Sequence, residues 1–168
     1  AVTAVNTALW GDFDNDGHTD VYLCRAGHNQ LWRHTATGEW EDVSAATQTA
    51  NGAFNTVDGA FFDADHDGDL DLFLVNGDGP DELLNNNLDG TFRPLAAERG
   101  LSGGDSATRQ VLLLDIDADR DTDIITLNAS PPHAVNINEL GWNYRPATGQ
   151  EAFINTPMLA AVSGDNDA

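Results

Sequence analysis

The chain has 168 residues and a formal net charge of −21, because 28 acidic residues stand against 7 Lys and Arg. This charge argues against nucleic acid and an anionic membrane surface as partners, since both need cationic contacts. Hydrophobic residues make up 40% of the chain, which is enough for a packed core, and the single Cys24 excludes an internal disulfide.

The first predicted elements form a strand, an acidic loop and three more strands. An apolar run at 8–10 precedes DFDNDGHTD at 12–20, and the next apolar run follows at 21–24. Because 21–24 are apolar at consecutive positions, both faces of that strand are expected to be buried. Weaker strand signals lie at 30–34 and 39–43.

The same order of elements returns twice more along the chain. In the second copy, apolar runs at 60–62 and 72–75 flank DADHDGDLD at 63–71, and weaker strand signals lie at 82–86 and 91–95. In the third, runs at 111–114 and 124–127 flank DIDADRDTD at 115–123. A fourth copy begins at 164–167. The runs before the loops are as apolar as those after them, so each loop is expected to join two buried strands.

A constant period relates these copies. Asp12, Asp63 and Asp115 are 51 and 52 residues apart, and the aromatic residues Trp40, Phe92 and Tyr144 are spaced by 52 and 52. Such a period is typical of repeat architectures. The aromatic series keeps the phase of the repeat, which favours a place in the core over a sugar-binding platform.

Four short strands in about 50 residues predict an all-β fold made of β-propeller blades. Each blade has four antiparallel strands, with a calcium-binding loop between the first two. The predicted repeats cover approximately 5–55, 56–107 and 108–157, and the start of a fourth covers 158–168. Because propellers close with 4 to 8 blades, three blades are not expected to form a ring. We therefore expect either a portion of a longer propeller chain or self-assembly of several copies.

The acidic loops have the chemistry of calcium sites. Each loop carries Asp at positions 1, 3, 5 and 9, and Gly17 and Gly68 permit a sharp bend at position 6. Calcium accepts 6 to 8 oxygen ligands in flexible geometry, which suits this pattern better than magnesium does. Position 7 is expected to contribute its backbone carbonyl. The expected metal ligands are Asp12, Asp14, Asp16, His18 and Asp20; Asp63, Asp65, Asp67, Asp69 and Asp71; and Asp115, Asp117, Asp119, Asp121 and Asp123.

Two features limit the calcium interpretation. An EF-hand needs a Glu at position 12 and helices on both sides, whereas position 12 here is Leu23, Leu74 or Thr126 in predicted strands. In the third loop Arg120 replaces Gly, which adds a backbone cost and a positive charge beside the site. Two calcium ions are therefore expected in the first two loops, and a third stays open.

The repeated motif resembles the FG-GAP/VCBS repeats of integrin-like β-propellers, as found in the cartilage acidic protein and ASPIC/UnbV type of families. The resemblance rests on the D-x-D-x-D-G-x-x-D loops at 12–20 and 63–71 and on the segments that follow them, NQLWR at 29–33, LLNNN at 83–87 and DGTF at 89–92. It implies calcium held by the carboxylates of positions 1, 3, 5 and 9. It also implies a mainly structural metal and a propeller used for adhesion or recognition.

The expected function is a non-enzymatic, calcium-stabilised extracellular module for recognition, adhesion or assembly. The alternatives are the propeller scaffold of a polysaccharide lyase or hydrolase, and an architectural subunit that binds only its own kind. Since 16 of the 28 acids lie in the repeat loops, few remain for acid–base catalysis. The protein or glycan ligand is not identified by the sequence. Secretion or the cell surface is expected, with the periplasm as an alternative, and no membrane insertion.

Overall fold

The computed structural model describes residues 4–50, 54–99, 101, 107–116, 118 and 120–129, together with the backbone of strands at 133–138 and 153–158. Within these residues the chain is all-β and forms three antiparallel sheets of four strands each. Every sheet is built from strands that are consecutive in the sequence. The predicted class and the four-stranded sheets are thus confirmed, whereas the fourth copy lies outside the described residues.

The strands follow one another in space as they do in sequence. The first sheet contains β1 Thr7–Gly11, β2 Asp20–Cys24, β3 Gln30–His34 and β4 Trp40–Asp42. The second sheet contains β5 Thr56–Phe62, β6 Asp71–Asn76, β7 Glu82–Asn86 and β8 Phe92–Pro94. The third sheet contains β9 Thr108–Leu114, β10 Asp123–Asn128, β11 His133–Asn138 and β12 Phe153–Met158.

Two of the first strands start earlier than their apolar runs. β5 begins at Thr56 and β9 at Thr108, four and three residues before the apolar runs at 60 and 111. The polar residues in these extensions bond to neighbouring strands. Asp58 Oδ2, for example, accepts a hydrogen bond from Val111 N on β9 (3.1 Å). Polar contacts between sheets therefore lengthen the strands beyond what hydrophobic pattern predicts.

Two hydrophobic clusters fill the spaces between the sheets. The cluster between the first and second sheets contains Leu9, Tyr22 and Leu31 together with Leu72 and Leu84. The cluster between the second and third sheets contains, among others, Phe62, Phe73, Val75, Leu83, Val111 and Ile124. Because the second sheet is covered on both faces, every residue of β6 is buried, which confirms the expectation for that strand.

Gly59 lies where β5 leaves no space for a side chain. A Cβ placed on Gly59 of β5 would lie 2.5 Å from the carbonyl oxygen of Phe73 and 2.9 Å from Leu9 Cδ1. These distances are shorter than van der Waals contact, so a larger residue would disturb the pairing of β5 with β6 and would also displace the Leu9 side chain of the first sheet.

The sequence predicts that the first strand of each sheet is buried on both faces. This prediction is wrong for β1 and β9, the first strands of the outer sheets. Trp10 is 61% exposed, and Leu112 and Leu114 are also exposed. Trp40, assigned to the core from its repeat phase, is 42% exposed, whereas its equivalent Phe92 is 3% exposed. The reason is position: the first sheet covers Phe92, while Trp10 and Trp40 lie on the face of the first sheet that points away from the second. Tyr144 lies outside the described residues.

Candidate metal centres

The first loop, residues 12–20 between β1 and β2, is folded by its own carboxylates. Asp12 Oδ1 accepts a hydrogen bond from Asp16 N (3.0 Å), and Asp12 Oδ2 accepts one from Gly17 N (2.9 Å). The backbone is left-handed at Asn15 (φ 56°) and Gly17 (φ 88°), conformations that Asn and Gly adopt most easily. The alternation of these conformations turns the side chains at positions 1, 3 and 5 toward one another.

The second loop, residues 63–71 between β5 and β6, repeats this arrangement. Asp63 Oδ1 accepts a hydrogen bond from Asp67 N (3.2 Å), and Asp63 Oδ2 accepts one from Gly68 N (3.1 Å). Left-handed backbone recurs at His66 (φ 58°) and Gly68 (φ 94°). The shared motif therefore specifies a shared loop geometry.

Each of these loops brings three carboxylates together. Oxygens of Asp12, Asp14 and Asp16 lie within 4.8 Å of one another in the first loop, and those of Asp63, Asp65 and Asp71 do so in the second. Two negative charges at this separation repel by about 1 to 4 kcal/mol, at effective dielectric constants between bulk water and a protein surface. A cation placed among them would remove this repulsion.

The last acid of each motif has a different environment from the others. Asp20, Asp71 and Asp123 are fully buried, and each accepts a hydrogen bond from the backbone amide at position 2 of its own loop, at 2.7 to 3.1 Å. Burial raises the pKa of Asp20, and it raises the pKa of Asp71 to about 7, although the amide donors oppose the shift. Asp71 belongs to the carboxylate group of its loop, whereas Asp20 does not belong to that of the first loop.

Position 7 differs between the loops. His18 is half-buried and its Nδ1 lies 3.2 Å from Asp16 Oδ1. Asp69 and Asp121, at the same position in the second and third loops, are both 2% exposed. Asp69 Oδ1 is buried without a hydrogen-bond partner among the described residues. Burial, followed by the hydrogen bond with Asp67, raises the pKa of Asp69 to about 8. The second loop thus holds a buried carboxyl group with one oxygen that no donor among the described residues satisfies.

At its described residues, the third loop (115–123) keeps the backbone geometry of the other two despite its different sequence. Asp115 Oδ2 accepts a hydrogen bond from Arg120 N (3.1 Å), as Asp12 does from Gly17. Ala118 and Arg120 adopt left-handed φ values of 66° and 82°, and Arg120 carries the side-chain strain that Gly17 and Gly68 avoid. Asp117 and Asp119, two expected ligands of this loop, lie outside the described residues.

Residues just outside the loops complete the polar environment. Arg33 on β3 has Nη1 3.9 Å from Asp14 Oδ2, and Asn85, its equivalent on β7, donates from Nδ2 to Asp71 Oδ1 (2.9 Å). Sequence reasoning missed these neighbours, although their spacing of 52 residues is visible in the sequence. Both carboxylate groups consist of Asp alone in the part of the chain that the structure describes. Their oxygen donors fit a hard cation such as calcium or magnesium.

Cys24, His28 and His34 lie outside the two carboxylate groups. Cys24 is fully buried, as expected for the apolar strand at 21–24, and burial raises the pKa of its thiol to about 12. His34 stacks on Trp40 with ring centroids 4.6 Å apart, and His28 Nδ1 lies 3.3 Å from the carbonyl oxygen of Ala50. The described residues contain no helix that is long and apolar enough to cross a bilayer.

Comparison with known proteins agrees with the repeat and its loops. The model of the FG-GAP-like repeat matches residues 12–74 and 63–126, which together cover more than half of the chain. The chain is also 30% identical over 100 residues to cartilage acidic protein 1 of Xenopus tropicalis. That match covers 58% of this chain and 16% of the relative, so the chain spans only a small part of the relative's length. The two matched segments include all three acidic loops of the sequence, and the chain belongs to the FG-GAP-like repeat family.

Proposed function

We propose that this chain is a calcium-binding, calcium-stabilised β-propeller module that acts outside the cell in recognition, adhesion or assembly, without enzymatic activity. The observation that carries the proposal is the second loop. There the carboxylates of Asp63, Asp65 and Asp71 converge within 4.8 Å, and the buried Asp69 has an oxygen without a donor among the described residues. When these carboxylates are ionised together, they place several negative charges in a small volume, which a cation would neutralise.

Calcium is the cation that suits these loops best. The donors are all oxygens, and calcium accepts 6 to 8 of them in variable geometry, whereas magnesium requires a strict octahedron. In the first loop Asp12, Asp14 and Asp16 would hold the ion, and in the second Asp63, Asp65 and Asp71 would do so. A bound ion would supply charge neutralisation and would tie the loop to both of its strands. For the third loop, the retained contact of Asp115 with Arg120 N supports a third site.

The relation between the sheets supports a propeller. β1, β5 and β9, the first strands of the sheets, contact one another in turn. Asn6 Nδ2 donates to the carbonyl oxygen of Thr56 (2.8 Å), and Asp58 Oδ2 accepts from Val111 N (3.1 Å). Sheets that meet face to face, with their first strands side by side, are arranged as the blades of a propeller are.

The exposed hydrophobic residues support the same proposal. Leu114 (40% exposed) is equivalent to Phe62 (7%), and Ile116 (39%) is equivalent to Ala64 (4%). Trp40 bears the same relation to Phe92. The positions that are exposed on the outer faces are therefore the ones that bury against a neighbouring sheet elsewhere in the molecule. Exposed apolar patches of this kind mark interaction surfaces, and we propose that further FG-GAP sheets cover them, either from a longer chain or from another copy.

The roles of the remaining acids support the absence of catalysis. Asp58, Asp78 and Asp81 accept hydrogen bonds from backbone amides, and Asp42 accepts them from Gln30 Nε2 and Ser44. General acid–base catalysis needs a pair of carboxylates free to face a substrate. These four acids are engaged in holding turns and sheets together.

An extracellular location agrees with the proposed metal. Calcium sites of extracellular modules have dissociation constants of about 10⁻⁴ to 10⁻³ M, so they fill at extracellular calcium concentrations. Protein or glycan ligands are the partners we propose, because adhesion modules present their loops to such surfaces.

Calorimetric titration with calcium tests the proposal. The wild type is expected to bind two or three ions and to gain about 2.7 kcal/mol of stability per site at one hundred times the dissociation constant. The double variant Asp63→Asn/Asp65→Asn should bind one ion fewer. The control Glu39→Gln/Glu98→Gln removes two exposed charges outside the loops and should bind as the wild type does. Absence of calcium binding by the wild type, together with the same melting temperature in calcium and in EDTA, would refute the proposal.

A further inference from the structure

Two chains of side-chain hydrogen bonds connect neighbouring sheets, away from the acidic loops. In the chain between the first and second sheets, Asn29 Nδ2 donates to Thr56 Oγ1 (2.8 Å). Thr56 Oγ1 donates in turn to Asn76 Oδ1 (2.8 Å). All three residues are buried, so the bonds run in one direction through a region without solvent.

The hydrogen-bond chain between the second and third sheets uses the equivalent positions, 52 residues later in the sequence. One of its three residues is different. Asp81 in the second repeat is equivalent to Asn29 in the first repeat, and Thr108 in the third repeat is equivalent to Thr56 in the second repeat. Asn128 is equivalent to Asn76. Thr108 Oγ1 lies 2.8 Å from Asp81 Oδ2 and 3.2 Å from Asn128 Oδ1. Asp81 Oδ1 accepts from Asn76 N (3.0 Å), as Asn29 Oδ1 accepts from Arg25 N (2.8 Å).

Because Asp81 replaces the Asn of the first hydrogen-bond chain, the donors in the second hydrogen-bond chain depend on whether Asp81 is protonated. A threonine hydroxyl has one proton and cannot donate to two acceptors at once. When Asp81 is ionised, Thr108 donates to it and not to Asn128. When Asp81 is protonated, its hydroxyl donates to Thr108 Oγ1, and Thr108 donates onward to Asn128. The protonated state thus reproduces the order of donors that Asn29 provides in the first chain.

We propose that Asp81 is a pH-sensitive member of the hydrogen-bond chain that joins the second and third sheets. The bond between Asp81 and Thr108 is present in both states. When Asp81 is protonated the chain continues to Asn128, and when Asp81 is ionised the chain ends at Thr108 and a negative charge is buried between the sheets. The connection is independent of the proposed calcium sites. Neither Asp81 nor Thr108 lies in an acidic loop, and the connection joins β6 and the start of β7 to the start of β9.

The environment of Asp81 places this transition in an accessible pH range. Asp81 is 4% exposed, and burial raises the pKa of its carboxyl to about 6, while the hydrogen bonds from Asn76 and Thr108 oppose the shift. Charged side chains on the surrounding elements are Asp58 on β5, which accepts from Val111 N; Asp78 in the turn after β6, which accepts from Asn55 N; Glu82 on β7; and the exposed Arg109 on β9.

The direction of the pH effect follows from the raised pKa. An acid whose pKa is higher in the folded state than in the unfolded state stabilises the fold at low pH. This stabilisation is complete at a pH below the unfolded-state pKa, here about 3.8, and is lost as the pH rises through the folded-state pKa. Between pH 5 and pH 7.5, Asp81 should therefore lower the folding equilibrium constant by about tenfold.

Reciprocal exchange of Asn and Asp at the two equivalent positions tests the proposal. Urea unfolding is measured at pH 5 and pH 7.5, at one fixed calcium concentration, for the wild type, Asp81→Asn, Asn29→Asp and the charge control Glu39→Gln. We expect the wild type and Glu39→Gln to show the same decrease, to which the acids of the second loop also contribute. The decrease in Asp81→Asn should be about tenfold smaller. Asn29→Asp should add a further decrease, because it creates the same dependence between the first and second sheets.

Two results would overturn the proposal. In the first, the folding equilibrium constant changes between pH 5 and pH 7.5 by the same factor in Asp81→Asn as in Glu39→Gln. In the second, the folding equilibrium constant of Asn29→Asp changes between the two pH values by the same factor as that of the wild type. This second result decides the question even if Asp81→Asn does not fold.

Discussion

The backbone amide of Asn86 on β7 donates a hydrogen bond to the carboxylate of Asp71 on β6, with 2.8 Å between the nitrogen and the oxygen. The amide of His34 on β3 makes the same bond, also 2.8 Å long, to Asp20 on β2. Each of these acids also accepts the amide of position 2 of its loop. The last acid of the motif therefore joins the loop to the third strand of the sheet, in addition to any contact with a metal.

Asp20→Asn should destabilise the protein even when no calcium is present. The amide group of Asn can accept only one of the two backbone N–H bonds, and the other donor would be buried without a partner, at a cost of about 1 to 3 kcal/mol. Asp14→Asn should leave the stability in EDTA unchanged or slightly higher, because it removes repulsion from Asp12 and Asp16, and should reduce the gain on adding calcium. Urea unfolding in EDTA and in calcium separates the two effects. Equal losses in EDTA would contradict the distinction between the two acids.

Much of the fold could be predicted from the sequence because the repeat reveals it. Apolar runs placed β2, β6 and β10, and turn residues delimited β3 and β7. The roles of individual acids could not be predicted in the same way. Asp14 and Asp20 look alike in the motif, and only the strand that passes beside Asp20 makes it a buried hydrogen-bond acceptor. The exposure of Trp40 could not be predicted either. The spacing of the repeats predicts the position of a residue within its sheet, but it does not predict whether another sheet covers that residue.

Arg120→Gly should stabilise the protein. Arg120 adopts a φ of 82°, which costs a non-glycine residue about 1 to 2 kcal/mol. Part of this gain is lost because Gly has more freedom in the unfolded chain, so a net gain of about 0.5 to 1 kcal/mol is expected. The substitution also removes a positive charge beside the third loop and should increase its calcium affinity.

The reverse change in the first loop is the matched control for Arg120→Gly. A Cβ on Gly17 would meet no atom within 4 Å, and the backbone there has a φ of 88°. Gly17→Ala should therefore cost about 1 kcal/mol through backbone strain alone. Thermal denaturation of both variants in EDTA measures the two effects. The explanation by backbone strain fails if Arg120→Gly lowers the melting temperature.

Phe92→Ala and Trp40→Ala should differ strongly although the positions are equivalent. Phe92 is buried beside Phe13, with ring centroids 6.0 Å apart, and its truncation should cost about 3 to 5 kcal/mol. Trp40 contacts Trp10 and His34 on an exposed face, so its truncation should cost below about 1.5 kcal/mol. Urea unfolding of both variants provides the comparison. If Trp40→Ala costs as much as Phe92→Ala, another part of the protein must cover Trp40 in solution.

The stabilisation by calcium should increase with pH. In the metal-free protein, burial raises the pKa of Asp69 to about 8 and that of Asp71 to about 7, well above the ordinary value of 3.8. The neutral forms stabilise the metal-free fold at low pH, and this contribution is lost as the pH rises through 7 and 8. Calcium requires the ionised carboxylates, so its binding releases protons at low pH and becomes stronger as the pH rises.

Thermal denaturation at pH 5.5, 7 and 8.5, in EDTA and in excess calcium, measures this dependence. The melting temperature in EDTA should fall with rising pH, and the increase caused by calcium should grow. Asp69→Asn removes the acid with the higher pKa of the two, so it should flatten the curve in EDTA between pH 7 and 8.5 while leaving the first loop intact. A calcium-induced increase that stays constant over the whole range would show that the carboxylates of the second loop are already ionised without the metal. Their charges would then have to be compensated by hydrogen bonds alone.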